Sequence, residues 1–311
     1  MGSPAAMSAS QRPARAIAVG GICLTRIYQV EHVAPVPAKV LAHALVEVVD
    51  GMALSAAFAF MRLGGQAAIW GRCGDDAGGR AARQSLRQEG LDVSSLRNVA
   101  GAASSQAAVI VDAKGERLVV PFHDPTLDAS PHWLPLQQLA GADILLCDVR
   151  WPEGAQAAMR AARQLGVPVM LDGEAAAPQT LETLVQLASH AVFSDAGVLA
   201  LTGAGSVDVA LFEVAGRHAG HVGATCGADG YAWVEGGVVR RVSAPKVEVV
   251  DTLGAGDVFH GAFALALTEG QSPERAASFA CHAASLKCTR LGGRLGCPSR
   301  QDVLASLRAG P

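Results

Sequence analysis

At 311 residues, half of them hydrophobic and 17% charged, the chain has apolar content for one large core or two modest ones, which excludes a disordered protein. The formal net charge is −3 and Arg and Lys are scattered along the chain, so neither nucleic acid nor an acidic membrane surface is expected as a partner. Seven cysteines without a CxxC pair speak against a disulfide framework or a zinc site, and for a reducing, cytoplasmic setting.

Residues 1–15 carry no apolar run and read as a flexible tail. A buried-type strand is predicted over 16–22, a helix over 54–63, a strand over 67–70 and a helix over 79–89. The apolar run 51–61 is too short to span a bilayer. Strands at 106–112 and 117–122 flank Ala113-Lys114-Gly115-Glu116, which reads as a hairpin turn. Beyond it, strands at 143–147, 167–171, 190–193 and 221–225 alternate with helices near 153–165, 178–187 and 207–218. That alternation predicts an α/β fold with a mostly parallel sheet covered on both faces. A second hairpin is expected over 231–242 around Gly236-Gly237, followed by helices near 256–268 and 273–287. Asp148, Asp172, Asp195 and Asp229 fall at or just past predicted strand ends, the edge where open α/β sheets bind ligands. Taken singly, each is also an ordinary cap or turn residue.

The stretch that carries chemistry is Asp251-Thr252-Leu253-Gly254-Ala255-Gly256-Asp257-Val258-Phe259. Small residues Gly254, Ala255 and Gly256 stand directly before a helical pattern. Backbone N–H groups exposed at such a helix start, together with the helix dipole, suit a transferring phosphoryl group. Asp257, in the first helical turn, is placed to accept the proton of an attacking hydroxyl. No GxxxxGK[ST] and no Gly-Lys pair occurs, which excludes a P-loop enzyme, and Gly20-Gly21-Ile22 breaks the dinucleotide-binding spacing.

This string resembles the C-terminal signature of the PfkB, or ribokinase-like, carbohydrate kinases. Gly71-Arg72-Cys73-Gly74-Asp75-Asp76-Ala77-Gly78 is similar to an earlier element of that family, and Thr289-Arg290-Leu291-Gly292-Gly293 fits its tail. The resemblance implies a three-layer α/β sandwich over about 16–300, a short C-terminal segment over 301–311, and a small β-sheet lid built from about 28–49 and 105–122. The lid would cover the sugar and mediate a homodimer. The resemblance also implies ATP and Mg2+ as cofactors, with room for a monovalent cation, and a small sugar as acceptor. On matching positions, Asp257 is the base and Gly254, Ala255 and Gly256 form the anion hole. Thr225, Gly227, Gly230, Ser194 and Cys281 then fall to the nucleotide, with His282 nearby, and Asp251 to a possible metal.

Three positions depart from the family pattern. Thr25 stands where an Asp usually grips sugar hydroxyls, Asp50-Gly51 and Ser55 replace a Gly-Gly and a following Asn, and Ser194-Asp195-Ala196-Gly197 replaces N-x-x-E. Strings such as Asp148-Val149-Arg150-Trp151 and Leu171-Asp172-Gly173 are similar to those of the 6-deoxy-6-sulfofructose kinase branch. Arg150 would then bind an anionic group on the acceptor, with Lys39 of the lid as a second charge, while Pro121 replaces an expected polar lid residue. The substrate group is therefore Arg150, Thr25, Asp50, Gly51, Ser55 and Lys39. A nucleotide- or sugar-binding regulator without turnover, and a nucleoside kinase, are the alternatives these departures leave open.

Overall fold

The computed structural model describes residues 12–33, 39–113 and 117–309. Most of the expected tail, the turn residues 114–116, part of the first lid segment (34–38) and the last two residues lie outside the described residues.

In chain order the elements are β1 (Arg15–Val19), β2 (Cys23–Gln29), β3 (Ala44–Asp50), α1 (Met52–Arg62), β4 (Gln66–Gly74), α2 (Ala77–Gln88), β5 (Leu96–Val99), β6 (Gln106–Val111) and β7 (Arg117–Phe122). They continue with β8 (Ile144–Cys147), α3 (Pro152–Gln164), β9 (Val169–Gly173), α4 (Pro178–Val185), β10 (His190–Ser194), α5 (Asp195–Thr202) and α6 (Val207–Ala215). The last are β11 (His221–Thr225), β12 (Tyr231–Glu235), β13 (Val238–Val242), α7 (Ala255–Thr268), α8 (Pro273–Cys288) and α9 (Arg300–Ala309). The large sheet has the order β13-β12-β11-β10-β9-β8-β1-β4-β5, antiparallel only at β12 and β13. Strands such as Ile144–Cys147 and Val169–Gly173 are buried at every position, because both sheet faces are covered. One layer packs α1, α7 and α8 on the sheet, and the other packs α3 to α6.

The chain moves from β1 toward β4 on one side and toward β8 on the other, so the strand order reverses between β1 and β8. Such a switch point opens a crevice at the carboxyl ends of the strands. Gly20, just past β1, is required there: a Cβ would lie 2.1 Å from the Asp148 carboxylate.

The second sheet, β3-β2-β6-β7, is built from the segments expected to form the lid. It begins at Cys23, earlier than expected, because Gly20-Gly21 break the first apolar run into two strands belonging to different sheets. Its inner residues Ile27, Val48, Val109 and Val111 form a small cluster with Leu253 of the chemistry-bearing string. Register sets Val48, Thr25, Ala107 and Pro121 in one row across the lid. The two departures, Thr25 and Pro121, therefore share one face, with Ala107 between them.

Two helices were not legible as such. α5 follows β10 directly, capped by Ser194 and ended by Gly203 in the left-handed region (φ 70°). α9 falls in the expected C-terminal segment, where Ser299 and Asp302 cap each other reciprocally.

Candidate active site

Gly254 adopts φ 75°, a left-handed conformation that turns the chain sharply into α7 without strain. Ala255 N donates to the Thr252 carbonyl (3.2 Å), and the following N–H groups of the first turn have no acceptor inside the helix. A Cβ on Gly256 would meet nothing within 4 Å, so this side of the turn is open. It opens into a cavity of about 560 Å3, whose walls include Thr225, Gly227, Gly230, Phe259 and Cys281. Four of the five residues expected at the nucleotide thus line the same cavity as Ala255 and Gly256. Ser194 does not line this cavity. Its Oγ accepts from Gly197 N (2.9 Å) and donates to Glu174 Oε1 (3.0 Å), so it caps α5 and orients Glu174. Ser194, expected at the nucleotide, is here engaged by these two bonds.

Asp257 stands in the first turn of α7 and is half-buried there. Burial pushes its pKa well above the ordinary carboxylate range, and the negative charges of Asp172, Asp50, Asp148 and Glu174 push it further. Asp172, raised to about 6 by burial, is steadied by His260, whose Nε2 lies 3.6 Å from its Oδ1. His260 also ties the Gly256 carbonyl through Nδ1 (2.7 Å) and the Val192 carbonyl through Nε2 (3.1 Å), fixing the start of α7 to the strand ends.

Asp148, fully buried past β8, organises the switch point. It accepts from Gly21 N (3.2 Å), Ala53 N (3.0 Å) and Arg150 N (2.8 Å), joining the ends of β1 and β8 to the start of α1. Asp50 accepts from Ser55 Oγ and from Gly51 N (3.0 Å), so Ser55 is a buried support for Asp50 rather than a cleft-facing group. Arg150 is exposed at the crevice mouth, with its Cβ over Gly21. Thr25 lines a separate hollow of about 530 Å3 between the lid and the start of α2, beside Asp76. Lys39 is exposed before β3 and lines neither hollow.

Asp251, expected as a possible metal ligand, is engaged by protein groups. Its Oδ2 meets Lys287 Nζ (3.0 Å) and accepts from Gly292 N and Gly293 N (3.0 Å each), while Oδ1 accepts from Leu253 N (2.8 Å). Lys287 also donates to the Asp251 carbonyl (2.6 Å). Burial alone would raise the Asp251 pKa; Lys287 and the N–H donors outweigh it and hold the carboxyl below its ordinary range. Both oxygens are engaged, and among the described residues no group of three His, Cys, Asp or Glu is placed to hold a metal. Asp251 is the counterion of a buried lysine.

Residues 14–300 match the sequence model of the pfkB family carbohydrate kinases. The chain belongs to this family. Ribokinase from Bacillus subtilis is 28% identical over 261 residues, covering 81% of this chain and 85% of that relative. Aminoimidazole riboside kinase from Salmonella typhimurium is 30% identical over 222 residues, covering 67% and 70%. A crystal structure from Agrobacterium tumefaciens, provisionally called a ribokinase, superposes with a TM-score of 0.92 at 38% identity, covering 96% of this chain and 98% of that one. Like its pfkB relatives the chain is a phosphotransferase with an alcohol group as acceptor, on a ribokinase-like fold. The named relatives are ribokinases, fructokinases and riboside kinases, so membership does not reach down to a sulfofructose branch.

Sequence reasoning passed over Asp148 as a scaffold, His260, Glu174, Lys287 and Arg117. The signal was present for Asp148 alone, as a strand-end carboxylate; the rest acquire meaning only from distant partners.

Proposed function

We propose that this pfkB kinase transfers the γ-phosphoryl group of ATP to a hydroxyl of a small sugar, with Asp257 as general base. The observation that carries the reading is the position of Asp257: it shares one helical turn with Ala255 and Gly256, which line the cavity, and it feels the charges of the carboxylates of the sheet crevice. The acceptor oxygen attacks the γ-phosphorus, its proton passes to the Asp257 carboxylate, and the bond to the ADP oxygen breaks. Charge on the transferring group faces the first-turn N–H groups of α7 and the positive end of its dipole.

Magnesium arriving with ATP needs only one or two protein carboxylates beside phosphate oxygens and water. Asp172 and Glu174, whose charges act on Asp257, fit that donor set although no complete protein cage exists among the described residues. Bound there, the ion would neutralise phosphate charge. A monovalent cation is not required beside Asp251, where the Lys287 ammonium already stands.

Arg150 at the crevice mouth supports an acceptor that carries an anionic group, of which the sulfonate of sulfofructose is one example. A nucleoside acceptor is the second reading, favoured by the 30% identical riboside kinase and by Thr25 in place of an acidic sugar grip. The apolar row Leu45, Tyr28, Ile110 and Leu118 on the outer lid supports a homodimer through that face. All seven cysteines are free, as suits a reducing compartment, and no single helix among the described residues is long and apolar enough to cross a membrane.

The test is ADP release with MgATP and a panel of neutral sugars, sulfosugars, sugar phosphates and nucleosides. Turnover on no acceptor, with nucleotide and sugar binding retained, would replace the enzyme by a binding regulator. Arg150→Ala is expected to raise KM for anionic acceptors by about 10-fold or more, given the strength of charge-assisted bonds; an equal rise for neutral sugars removes its assigned role.

The pH profile is a second check. A base with a raised pKa loses its ionised form as pH falls through that raised value, so the acid limb of kcat/KM should lie well above pH 4. In Asp172→Asn, one neighbouring negative charge is gone and the limb should move to lower pH. An unmoved limb would mean that the titrating group is elsewhere.

A further inference from the structure

We infer that Lys287 is a built-in monovalent cation: its tethered ammonium takes the place of a free potassium or sodium ion behind the Gly254–Gly256 turn, and phosphoryl transfer by this chain needs neither ion. This rests on the kinase reading above and deepens it, by making Lys287 a positioning residue for the turn.

The backbone that leads into the turn is clamped to the C-terminal part of the fold. Val250 N and Asp251 N donate to the Cys288 carbonyl (2.8 and 3.1 Å), at the end of α8. The Asp251 carboxylate accepts from Leu253 N on one oxygen and from Gly292 N and Gly293 N on the other. Gly293 stands directly against the turn, since a Cβ on Gly254 would lie 3.6 Å from its carbonyl carbon. Asp251 therefore ties the segment before Gly254 to the segment that packs on it.

A tie of this kind needs a positive charge. The side chains of Lys287 and Asp251 are 0% and 2% exposed, and a carboxylate buried so deeply is costly without a cation beside it. Lys287 Nζ supplies that cation, 3.0 Å from Asp251 Oδ2 and 2.6 Å from the Asp251 carbonyl oxygen. A carboxylate oxygen and a carbonyl oxygen of one residue thus converge on a compact point charge, as oxygens converge on a small bound ion. A free monovalent cation, for which the family resemblance leaves room, does not fit at Asp251. The ammonium already holds both oxygens, and a second positive charge at contact distance would be repelled by it. The chain carries its cation on α8, so the turn keeps its shape whatever salt surrounds it.

The first test uses the wild-type chain: ADP release from the Tris salt of ATP with magnesium chloride and the best acceptor of the panel, in potassium, sodium or tetramethylammonium chloride at equal ionic strength. Equal kcat in these salts is expected, and saturable activation by potassium or sodium overturns the proposal. The second uses Lys287→Ala, which removes the ammonium and leaves space, and Lys287→Met, which removes it and fills the space. In tetramethylammonium chloride, Lys287→Ala is expected to lose about 100-fold in kcat, the cost of a small misplacement of reacting groups. Potassium or ammonium chloride should restore part of that loss and raise the melting temperature saturably, as an ion bound to the folded state does. Lys287→Met should gain from neither. A merely structural lysine gives no such ion-selective recovery, so melting of Lys287→Ala that is the same in every salt overturns the proposal. If Lys287→Ala folds in no salt, the wild-type comparison decides. If the wild type turns over no acceptor, the kinase reading fails and melting judges the inference alone: a wild type insensitive to the choice of salt supports it, and potassium-specific stabilisation of the wild type overturns it.

Discussion

Asp257→Asn is expected to lower kcat by about 10²–10⁴-fold, the loss that follows removal of a general base, while the protein folds at least as well as the wild type. The two halves of this expectation have one cause. Asp257 sits deep at the start of α7 among Asp172, Asp50, Asp148 and Glu174, and burial together with those charges raises its pKa. A group whose folded pKa is raised favours the folded state fully only below its unfolded pKa near 4. That contribution is lost as pH rises through the folded value. An amide cannot ionise, so Asp257→Asn should gain stability over the wild type progressively above pH 4 while losing turnover. Paired melting and ADP-release measurements across pH test this. A variant that turns over at the wild-type rate removes Asp257 as the base. One that loses activity and melts lower at neutral pH assigns it a structural role.

Lys287→Met should have the largest effect on stability. Lys287 and Asp251 are both almost fully buried, and the ammonium meets the carboxylate at 3.0 Å and the Asp251 carbonyl at 2.6 Å. Burial lowers the Lys287 pKa, with Asp251 opposing it, so the pair owes its persistence to mutual contact and to the N–H donors of Gly292, Gly293 and Leu253. Deleting one partner leaves a buried charge uncompensated, which typically costs about 3–5 kcal/mol. The double change Lys287→Met with Asp251→Asn should destabilise much less than the single change, since the stranded charge is then gone too. Denaturant unfolding of the wild type, both single variants and the double variant measures this coupling. Additive losses would show that the pair does not act as a unit. The variant's deficit should also narrow as pH falls and the stranded Asp251 takes up a proton, opposite to the wild type, whose Asp251 pKa is depressed.

The same pair shows what a local reading of Asp251 lacks. In the sequence, Asp251 stands six residues before the base, and nothing nearby says what faces it. Lys287 lies 36 residues further on, and only the packing of α8 against the turn brings its ammonium to the carboxylate. Ser194 is the converse case. It was grouped with nucleotide residues by its place in a family pattern, yet the local signal of a serine three residues before Gly197 was that of an N-cap, and the structure uses it so.

Short-range physics accounts for the features legible in the chain alone. The alternation of apolar strands and helices set the parallel sheet and its helical layers, and the small residues at 254–256 set a sharp turn into α7 with its N–H groups exposed. The turn needs only glycine's conformational freedom and a helix start, both written in adjacent residues. The tertiary structure alone decided what surrounds that turn. Asp148 joins β1 to α1 from 95 residues beyond Ala53, and His260 locks α7 to a strand carbonyl 68 residues away. Arg117 reaches Thr252 across 135 residues. Such partners are chosen by the folding of two sheets around one crevice, a long-range result of burying both sheet faces, and no local pattern in the chain encodes them.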